Sequence, residues 1–398
     1  MSKRLFVGNF DFEHRLADPH REPSAALKRL NAELATAWLS IANDGDFLWT
    51  PLPIDKSFFD RATAAGLPDV TPMTSFEQVP RDVECVPWGW SNEVRKLVAR
   101  YRWGANAPSS DSVRLSNSRR MSAELEERWS CGLTGARRIQ SMNELDDAIA
   151  NLSAINARWV VKAEFGMSAR ERILGQGPIR LVDQNWVHRR LASHGNVFFE
   201  PWVERIDELG IQFEVPTSGP PILIGLTPMR VDRRGQYAGS DFAVTPEQAY
   251  AVRTNWAAAI DVATRAATDL QSGGYFGPLG IDAMRYRDHN CQTKLRPLQD
   301  INARWTMGRL SLGWRRGLRT SEVGTWIHGT PDTESGLNGR ENNRRISTTP
   351  MTVGAVGCHH QSWVLYQSVQ ALDLASPANP AANDQSERKK VDGIEGYE

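Results

Sequence analysis

The sequence predicts an α/β layer at the start of the chain, followed by a longer α+β region. Strand-like and helix-like segments alternate through about the first 110 residues. Further along, residues 276 to 288 and 293 to 306 have the pattern of two neighbouring antiparallel strands joined by a polar turn. A chain of 398 residues with 40% apolar residues favours two or three linked domains over one.

The composition excludes several classes of function. Lysine plus arginine equals aspartate plus glutamate at 47 each, so no net charge steers the chain to nucleic acid or to an acidic membrane surface. The start has no signal-peptide pattern, and no stretch approaches membrane-spanning length, so we expect a soluble cytoplasmic protein. Four cysteines without CxxC spacing are typical of reduced thiols: Cys85, Cys131, Cys291 and Cys358.

The first layer is predicted to be Rossmann-like and to cover residues 1 to 112. A buried strand at 4 to 10 precedes an amphipathic helix at 23 to 41. Two further strands, at 46 to 54 and 83 to 91, flank a helix at 56 to 66. The glycine fingerprint of dinucleotide binders is absent after the first strand, so no nicotinamide site is predicted. The stretch "GANAPSSDS" (104 to 112) is a linker candidate.

The second region alternates short helices and strands. The predicted helices cover 118 to 129, 141 to 152 (with Ser141 and Glu144 in capping-box spacing) and a long amphipathic 246 to 271. The predicted strands are a strand, loop, strand unit at 157 to 177, a strand at 196 to 215 that breaks at Pro201 and resumes at Gly210, and one at 221 to 231. We expect a C-terminal extension at 321 to 374 and a disordered tail at 375 to 398.

One segment, "LRPLQDINARWTMG" (295 to 308), interleaves polar and apolar residues. Because side chains alternate along a strand, Asp300, Asn302 and Arg304 should form one polar row. A hairpin with the preceding strand could bring the Asp282 carboxylate beside this row. Such oxygen ligands suit magnesium bound together with nucleotide phosphates, to which Arg304 would add a charge. The alternative is an exposed strand face with a solvated salt bridge.

Two other segments have features of a nucleotide site. In "VVKAEFGMSARERI" (160 to 173), Lys162 ends a buried strand and is followed by a loop of small residues and by arginines, an arrangement that can hold polyphosphate. The alternative is a plain hairpin with a cationic rim. In "FFEPWVE" (198 to 204), a strand interrupted at Pro201 leaves backbone groups unpaired, which an adenine edge could satisfy. The alternative there is an ordinary edge strand or bulge.

These motifs, taken in order, resemble the ATP-grasp superfamily, whose last strand typically reads Glu-x-Asn with an arginine just after. The resemblance covers roughly residues 113 to 315, and the layer before it resembles the pre-ATP-grasp domain. It implies a Rossmann-like pre-ATP-grasp domain (1 to 112) followed by a two-subdomain ATP-grasp domain (113 to 320), with the nucleotide hinge near 200 to 203. It also implies ATP and Mg²⁺, or Mn²⁺, as cofactors.

The resemblance implies a role for each matching residue. The phosphate contacts would be Lys162 and the flexible loop from Ser168 to Arg170, and the adenine hinge would be Glu200 and Trp202. Glu208, or alternatively Glu204, would contact the ribose, and the magnesium ligands would be Asp282, Asp300 and Asn302. Arg304 would face the transferred phosphoryl group or the substrate carboxylate. Asp300 replaces the usual glutamate, and Arg119 or Arg120 replaces an earlier lysine.

The activity implied is that of a carboxylate–amine ligase that works through an acyl phosphate. An amino acid or short peptide as substrate and a homodimeric state are further expectations. Two alternatives are a small-molecule kinase on the same fold and a nucleotide-binding protein that has lost catalysis. The run Cys358, His359, His360 favours a structural role over a metal site, because adjacent histidines on a strand face opposite ways.

Overall fold

A computed structural model describes residues 2 to 152, 157 to 166, 171 to 232, 235 to 288, 290 to 333 and 343 to 369. The predicted disordered tail therefore lies outside the described residues. No helix in these ranges combines the length and the apolar composition needed to cross a membrane.

The chain begins with a parallel sheet of four strands, in the order β3-β2-β1-β4. Its strands are β1 (Arg4–Val7), β2 (Phe47–Trp49), β3 (Thr71–Met73) and β4 (Glu84–Pro87). Its helices are α1 (Phe12–Ala17), α2 (Ala25–Ala35), α3 (Lys56–Ala64) and α4 (Asn92–Tyr101), with 3-10 helices at Thr36–Ser40 and Phe76–Gln78. The alternation predicted from the sequence is confirmed. α1, β3 and α4 are elements that the pattern did not indicate.

A small antiparallel sheet follows, in the order β5-β8-β6-β7. Its strands are β5 (Arg137–Ile139), β6 (Arg158–Lys162), β7 (Arg172–Gln176) and β8 (Val197–Pro201). The helices of this part are α5 (Ser110–Ser116), α6 (Arg119–Arg128), α7 (Met142–Ala150) and α8 (Leu181–His194). α5 begins inside the predicted linker. The Ser141 side chain caps α7 by accepting the Glu144 amide, as the spacing predicts.

The largest element is an antiparallel sheet of eight strands, in the order β13-β12-β9-β10-β11-β14-β18-β15. Its strands are β9 (Glu204–Val215), β10 (Ile222–Val231), β11 (Tyr237–Ala243), β12 (Gly277–Arg287), β13 (Thr293–Asn302), β14 (Glu322–Gly329), β15 (Asn343–Ser347) and β18 (Gln361–Ser368). The remaining elements are α9 (Pro246–Asn255), α10 (Ala257–Ser272), α11 (Met307–Gly313), a 3-10 helix at Trp314–Gly317, and the pair β16 (Thr352–Val353) and β17 (Val356–Gly357). Three strands after residue 320, β14, β15 and β18, thus belong to the same sheet.

Two predicted boundaries are wrong. The strand predicted to resume at Gly210 already resumes at Glu204, and Gly210 lies inside β9. A Cβ atom at Gly210 would lie 2.6 Å from Oγ1 of Thr227 on the neighbouring strand, so any larger residue there would have to displace that side chain. The long helix predicted at 246 to 271 is two helices, divided at Trp256, whose side chain is buried in the core.

The first layer and the large sheet share one hydrophobic core. Phe6 and Trp38 of the first layer belong to the same buried cluster as Ile281 and Leu298 of β12 and β13. The small sheet has a separate cluster that includes Trp159. The small sheet is therefore packed independently of the shared core, and the polar groups described below lie where its strands face the large sheet.

Candidate functional site

A cavity of about 1030 Å³ is enclosed by the first layer, the small sheet, the large sheet and the C-terminal segment. Strands β12 and β13 supply one wall, β6 and β7 the facing wall, and helix α2 closes another side. A volume of this order is at the upper end of the range for small-molecule sites.

The polar row predicted from the sequence lies on the wall made by β12 and β13. Asp282 pairs directly with Asp300 in the antiparallel register, and Gly280 pairs with Asn302. Nδ2 of Asn302 donates to Oδ2 of Asp282 over 3.1 Å, and Nη2 of Arg304 donates to Oδ1 of Asn302 over 2.9 Å. All four polar side chains line the cavity. Asp300 and Asn302 lie on the cavity side of β13, as the period-two reasoning predicts, whereas Arg304 lies just beyond the end of that strand.

The two carboxylates lie at a position that favours a cation. Burial, followed by the charges of Asp300 and Glu208, raises the pKa of Asp282 to about 8. Two carboxylates and one carboxamide form an oxygen-only donor set, which suits Mg²⁺. The Asn302 oxygen keeps a second lone pair beside its bond to Arg304. No group of three or more histidine, cysteine or acidic side chains is arranged as a metal site in the described ranges.

Arg119 faces this wall from the start of α6. Its Nη1 and Nη2 atoms lie 3.5 Å from the two carboxylate oxygens of Asp300. Arg120 points elsewhere, with 44% of its side chain exposed and Glu124 as its partner at 3.8 Å. Of the two arginines left open by the sequence, the structure brings Arg119 to the cavity.

Lys162 ends β6 on the opposite wall. Its Nζ donates to Oε2 of Glu200 over 2.6 Å. Burial lowers the pKa of Lys162 to about 8, although the Glu200 charge opposes this change. The lysine lines the cavity, as the strand-end pattern predicts.

Behind Lys162 lies a buried cluster of charges that sequence reasoning missed. Nε and Nη2 of Arg296 donate to the two oxygens of Glu126 over 2.6 and 3.0 Å, and Arg296 also contacts Glu200 at 3.1 Å. The cluster joins β13, α6, β8 and β6. The sequence did show an arginine, Arg296, at an inward position of a predicted strand. Its partner Glu126 could not be identified, because it is 170 residues away in sequence.

The side chains of the two residues predicted for the adenine hinge, Glu200 and Trp202, are engaged within the protein. The Glu200 carboxylate is held in the charge cluster, and the Trp202 ring lies against the guanidinium groups of Arg158, Arg172 and Arg205. Neither is among the described residues that line the cavity. The Trp202 amide is also paired, since it donates to the Arg158 carbonyl over 2.9 Å. Of the backbone groups at the strand break, the Trp202 amide is therefore already paired within the protein.

Of the two ribose candidates, only Glu208 reaches the cavity. Glu208 is 6% exposed and lies 3.3 Å from Nη1 of Arg205. Burial raises the pKa of its carboxyl group. Glu204 is 71% exposed and is paired with Arg287 on the surface. The two loop residues predicted to contact phosphates, Ser168 and Arg170, lie outside the described residues.

Arg304 is held by the first layer. Its Nε donates to Oε1 of Glu13 over 2.5 Å, its Nη1 donates to the Trp305 carbonyl over 2.7 Å, and its guanidinium lies 5.0 Å from the Trp88 ring centroid. Glu13, on α1, was also missed by sequence reasoning. Most donors of Arg304 are therefore engaged within the protein, and its charge is balanced by Glu13.

The C-terminal histidine pair is held by backbone contacts. The Glu33 carboxylate on α2 accepts the amides of His359 and His360 over 3.0 and 2.9 Å. Nδ1 of His328 lies 3.1 Å from Nε2 of His360. These contacts attach the C-terminal segment to the first layer and agree with the structural role favoured by the sequence.

The sequence matches no protein-family model and no curated protein. Solved structures do resemble the fold. One of them is the biotin carboxylase domain of the Hydrogenobacter thermophilus 2-oxoglutarate carboxylase, in complex with MgADP, ADP and bicarbonate. The alignment covers 94% of this chain and 88% of that domain, with a TM-score of 0.51 and 14% sequence identity. The N5-carboxyaminoimidazole synthetase from Staphylococcus aureus, complexed with ADP, covers 94% of this chain and 95% of its own, with a TM-score of 0.51 and 10% identity. The chain therefore shares the fold of these two structures, which agrees with the fold class predicted from the order of its motifs.

Proposed function

We propose that the protein is an ATP-dependent carboxylate–amine ligase that forms an amide or peptide-like bond through an acyl phosphate. One observation carries this proposal. Asp282, Asp300 and Asn302 lie on one wall of the cavity, and Lys162 lies on the opposite wall. Oxygen ligands and a cation across a single cavity suit a metal-bound polyphosphate. The ATP-grasp fold supports the same function, and the four free cysteines agree with a cytoplasmic setting.

The chain's own residues would bind the nucleotide from two sides. Asp282, Asp300 and Asn302 would hold Mg²⁺, which when bound neutralises the charge on the transferred phosphoryl group. Lys162 and Arg119 would bind phosphate oxygens, and Ser168 and Arg170 would add further phosphate contacts. Glu208 would accept hydrogen bonds from the ribose hydroxyls.

The adenine contact would come from the backbone near the end of β8. The side chains of Glu200 and Trp202 would support the hinge and not touch the base, because Glu200 holds Lys162 and Trp202 packs against arginines. Arg304 would act through Asn302, whose carboxamide it orients.

The reaction would proceed in two displacements. A carboxylate oxygen of the acid substrate attacks the γ-phosphorus of ATP, and ADP leaves. The amine nitrogen then attacks the carbonyl carbon of the acyl phosphate, inorganic phosphate leaves, and the nitrogen releases a proton. Positioning and charge stabilisation supply the rate enhancement, and no covalent enzyme nucleophile is required. An amino acid or a short peptide is the substrate class we favour.

Product analysis tests the proposal. The wild-type protein is incubated with MgATP and a panel of amino acids and dipeptides, and nucleotide and phosphate products are separated. The ligase predicts ADP, phosphate and an amide product. AMP with pyrophosphate would contradict the acyl phosphate route, a stable phosphorylated acceptor would indicate a kinase, and nucleotide binding without turnover would indicate an inactive binder.

Two arginines at the start of α6 give a matched comparison. We expect Arg119→Ala to weaken MgATP binding by roughly tenfold, because it removes a cation from the polar wall, and Arg120→Ala to leave it unchanged. Isothermal titration calorimetry measures both. Equal losses in the two variants would remove Arg119 from the nucleotide site.

Two glutamates of β9, Glu208 and Glu204, give another comparison. Glu208→Gln should raise the Kd of ATP by about tenfold and leave the Kd of inorganic triphosphate unchanged, since only the nucleoside has ribose hydroxyls. Glu204→Gln, at the surface, should change neither value. A loss of triphosphate affinity in Glu208→Gln would assign Glu208 to the phosphates instead.

A further inference from the structure

A second, much smaller cavity lies beside the polar wall. Its volume is about 10 Å³, which is close to the space that one water molecule occupies. Because the space is so small, the side chains that line it surround a single position. We call this cavity the small pocket, and its lining residues come from α1, the junction of α5 and α6, the segment after β6, and β13: Glu13, Asn117, Arg119, Glu164, Gly166, Asp300, Ile301 and Asn302.

One lining carboxylate has an oxygen without a donor. Glu13 is 5% exposed, and its Oε1 accepts Nε of Arg304 over 2.5 Å. Its Oε2 is buried and has no hydrogen-bond partner in the part of the chain that the structure describes. A buried acceptor left unpaired costs free energy until a donor reaches it. A hydrogen-bond donor bound in the small pocket would satisfy this oxygen.

A second lining carboxylate, that of Glu164, has only uncharged partners. Its Oε1 accepts the Ser118 hydroxyl over 2.6 Å, and its Oε2 lies 3.5 Å from Nδ2 of Asn196. Within the described ranges, no basic side chain forms an ion pair with Glu164. A half-buried carboxylate is stabilised by a nearby cation, so this position favours one.

The charge balance of the small pocket indicates a single positive charge as its occupant. The charge of Glu13 is balanced by Arg304, and the Asp300 carboxylate lies 3.5 Å from the guanidinium of Arg119. The third carboxylate, Glu164, remains without a counter-charge among the described residues. One bound cation of unit charge would therefore neutralise the lining.

The available acceptors suit an ammonium group. A primary ammonium group has three N–H donors and no acceptor, and three carboxylates line the small pocket. The two carboxamides of the lining are engaged elsewhere. Oδ1 of Asn117 accepts the Ala303 amide over 3.0 Å. Asn302 is bonded to Asp282 and Arg304.

The small pocket adjoins the large cavity, because four residues line both spaces: Arg119, Gly166, Asp300 and Asn302. An organic amine could therefore place its ammonium group in the small pocket and its body in the large cavity. Its nitrogen would then lie beside Asp300, at the end of the polar row where the metal and the transferred phosphoryl group would bind.

We propose that the small pocket binds an ammonium group and in this way selects the amine substrate. The assignment to a substrate rests on the proposed ligase function, whereas the preference for an ammonium group rests on the carboxylates of the small pocket. The shared chemistry is a positively charged nitrogen with at least three N–H groups. Its source is either the ammonium ion itself or the head of a primary amine.

Thermal unfolding of the full chain tests the proposal, since a ligand that binds only the folded state raises the melting temperature. The chlorides of ammonium, methylammonium, tetramethylammonium and potassium are compared at constant ionic strength maintained with sodium chloride. Tetramethylammonium has the same charge without any N–H group, and K⁺ has the charge without directional donors. The concentration dependence of each melting temperature gives an apparent Kd.

Three variants accompany the wild type. Glu164→Gln and Glu13→Gln keep the shape of the side chain and remove its charge from the small pocket. Glu124→Gln removes a carboxylate that is 51% exposed on α6 and is the matched control. If one pocket variant fails to fold, the other decides.

We expect ammonium or methylammonium to bind the wild type at least roughly tenfold more tightly than tetramethylammonium or K⁺. Glu164→Gln and Glu13→Gln should weaken this binding by about tenfold or more, and Glu124→Gln should leave it unchanged. Methylammonium binding identifies a primary amine as the source, and binding of ammonium without methylammonium identifies the free ion.

Three results would overturn the proposal. They are a melting temperature that responds to none of the four salts or equally to all of them, K⁺ binding as tight as that of ammonium, and an affinity unchanged in the pocket variants. MgADP binding to the wild type is measured separately by calorimetry. Its absence would overturn the ligase function and the assignment to a substrate, while the salt series alone decides the preference for an ammonium group.

Discussion

Asp300→Ala will lose divalent metal binding at the nucleotide site while the protein stays folded. The Asp300 carboxylate lies opposite Asp282 in the β12–β13 pair, and its charge contributes to the raised pKa of Asp282. Removing it takes away one of the two carboxylates that we propose as metal ligands and relieves a repulsion at the same time. We expect Mn²⁺ affinity in the presence of ADP to fall by at least roughly tenfold, with little change in the free energy of unfolding without nucleotide.

Electron paramagnetic resonance of free Mn²⁺ measures the loss, and thermal unfolding measures stability. Asp207→Ala is the matched control, since Asp207 is a carboxylate of the same sheet that pairs with Arg285 near the surface. If Asp300→Ala and Asp207→Ala bind Mn²⁺ with equal affinity, the polar row does not hold a metal. A large loss of stability in Asp300→Ala would instead make its role structural.

The second large effect concerns the buried charge cluster. Arg296→Leu leaves the carboxylates of Glu126 and Glu200 buried without their shared partner. We expect a cost of about 3–5 kcal/mol in the free energy of unfolding at pH 7. Arg230→Leu is the control, because its pair with Asp241 is half exposed and such pairs contribute about 1 kcal/mol or less. Urea denaturation followed by circular dichroism measures both.

The same variant should show a characteristic pH dependence. In the wild type, Arg296 and Lys162 hold the pKa of Glu200 far below its usual value of 4.5 despite its burial. This contribution to stability is present above pH 4.5 and is lost as the pH falls through the folded-state pKa. Burial raises the pKa of Glu126, so that residue opposes the trend with a smaller shift. Without Arg296 both carboxylates would favour protonation.

The difference in stability between wild type and Arg296→Leu should therefore be largest near neutral pH and shrink towards about pH 4. Replacing Glu126 and Glu200 with Gln in the Arg296→Leu background should recover part of the loss at neutral pH, because the uncompensated charges are removed. A difference that is constant with pH, or a triple variant that is no more stable than Arg296→Leu, would mean that packing and not charge explains the cost.

The sequence was sufficient to predict the polar wall because a short-range rule placed its residues. Alternation along β13 put Asp300 and Asn302 on one face, and a polar turn of a few residues fixed the hairpin that brings Asp282 opposite. Lys162 was found for a similar reason, since it ends a strongly apolar strand. In each case the information lies within a short stretch of chain.

The parts that sequence reasoning missed depend on distant pairing. Arg296 meets Glu126 across 170 positions, and Arg304 meets Glu13 across 291, so no local pattern indicates either pair. The backbone pairing near the predicted hinge depends on distant residues as well. The strand break near Pro201 was visible, but whether the Trp202 amide is free depends on the Arg158 carbonyl of the neighbouring strand.

The central claim is that the cavity between the two sheets binds a nucleotide through a divalent metal. Calorimetric titration of ADP into the wild-type protein, at saturating Mg²⁺ and again in excess EDTA, tests it most directly. The geometry of Asp282, Asp300 and Lys162 predicts binding that is at least roughly tenfold tighter with Mg²⁺. Equal affinity under the two conditions, or no binding in either, would contradict it.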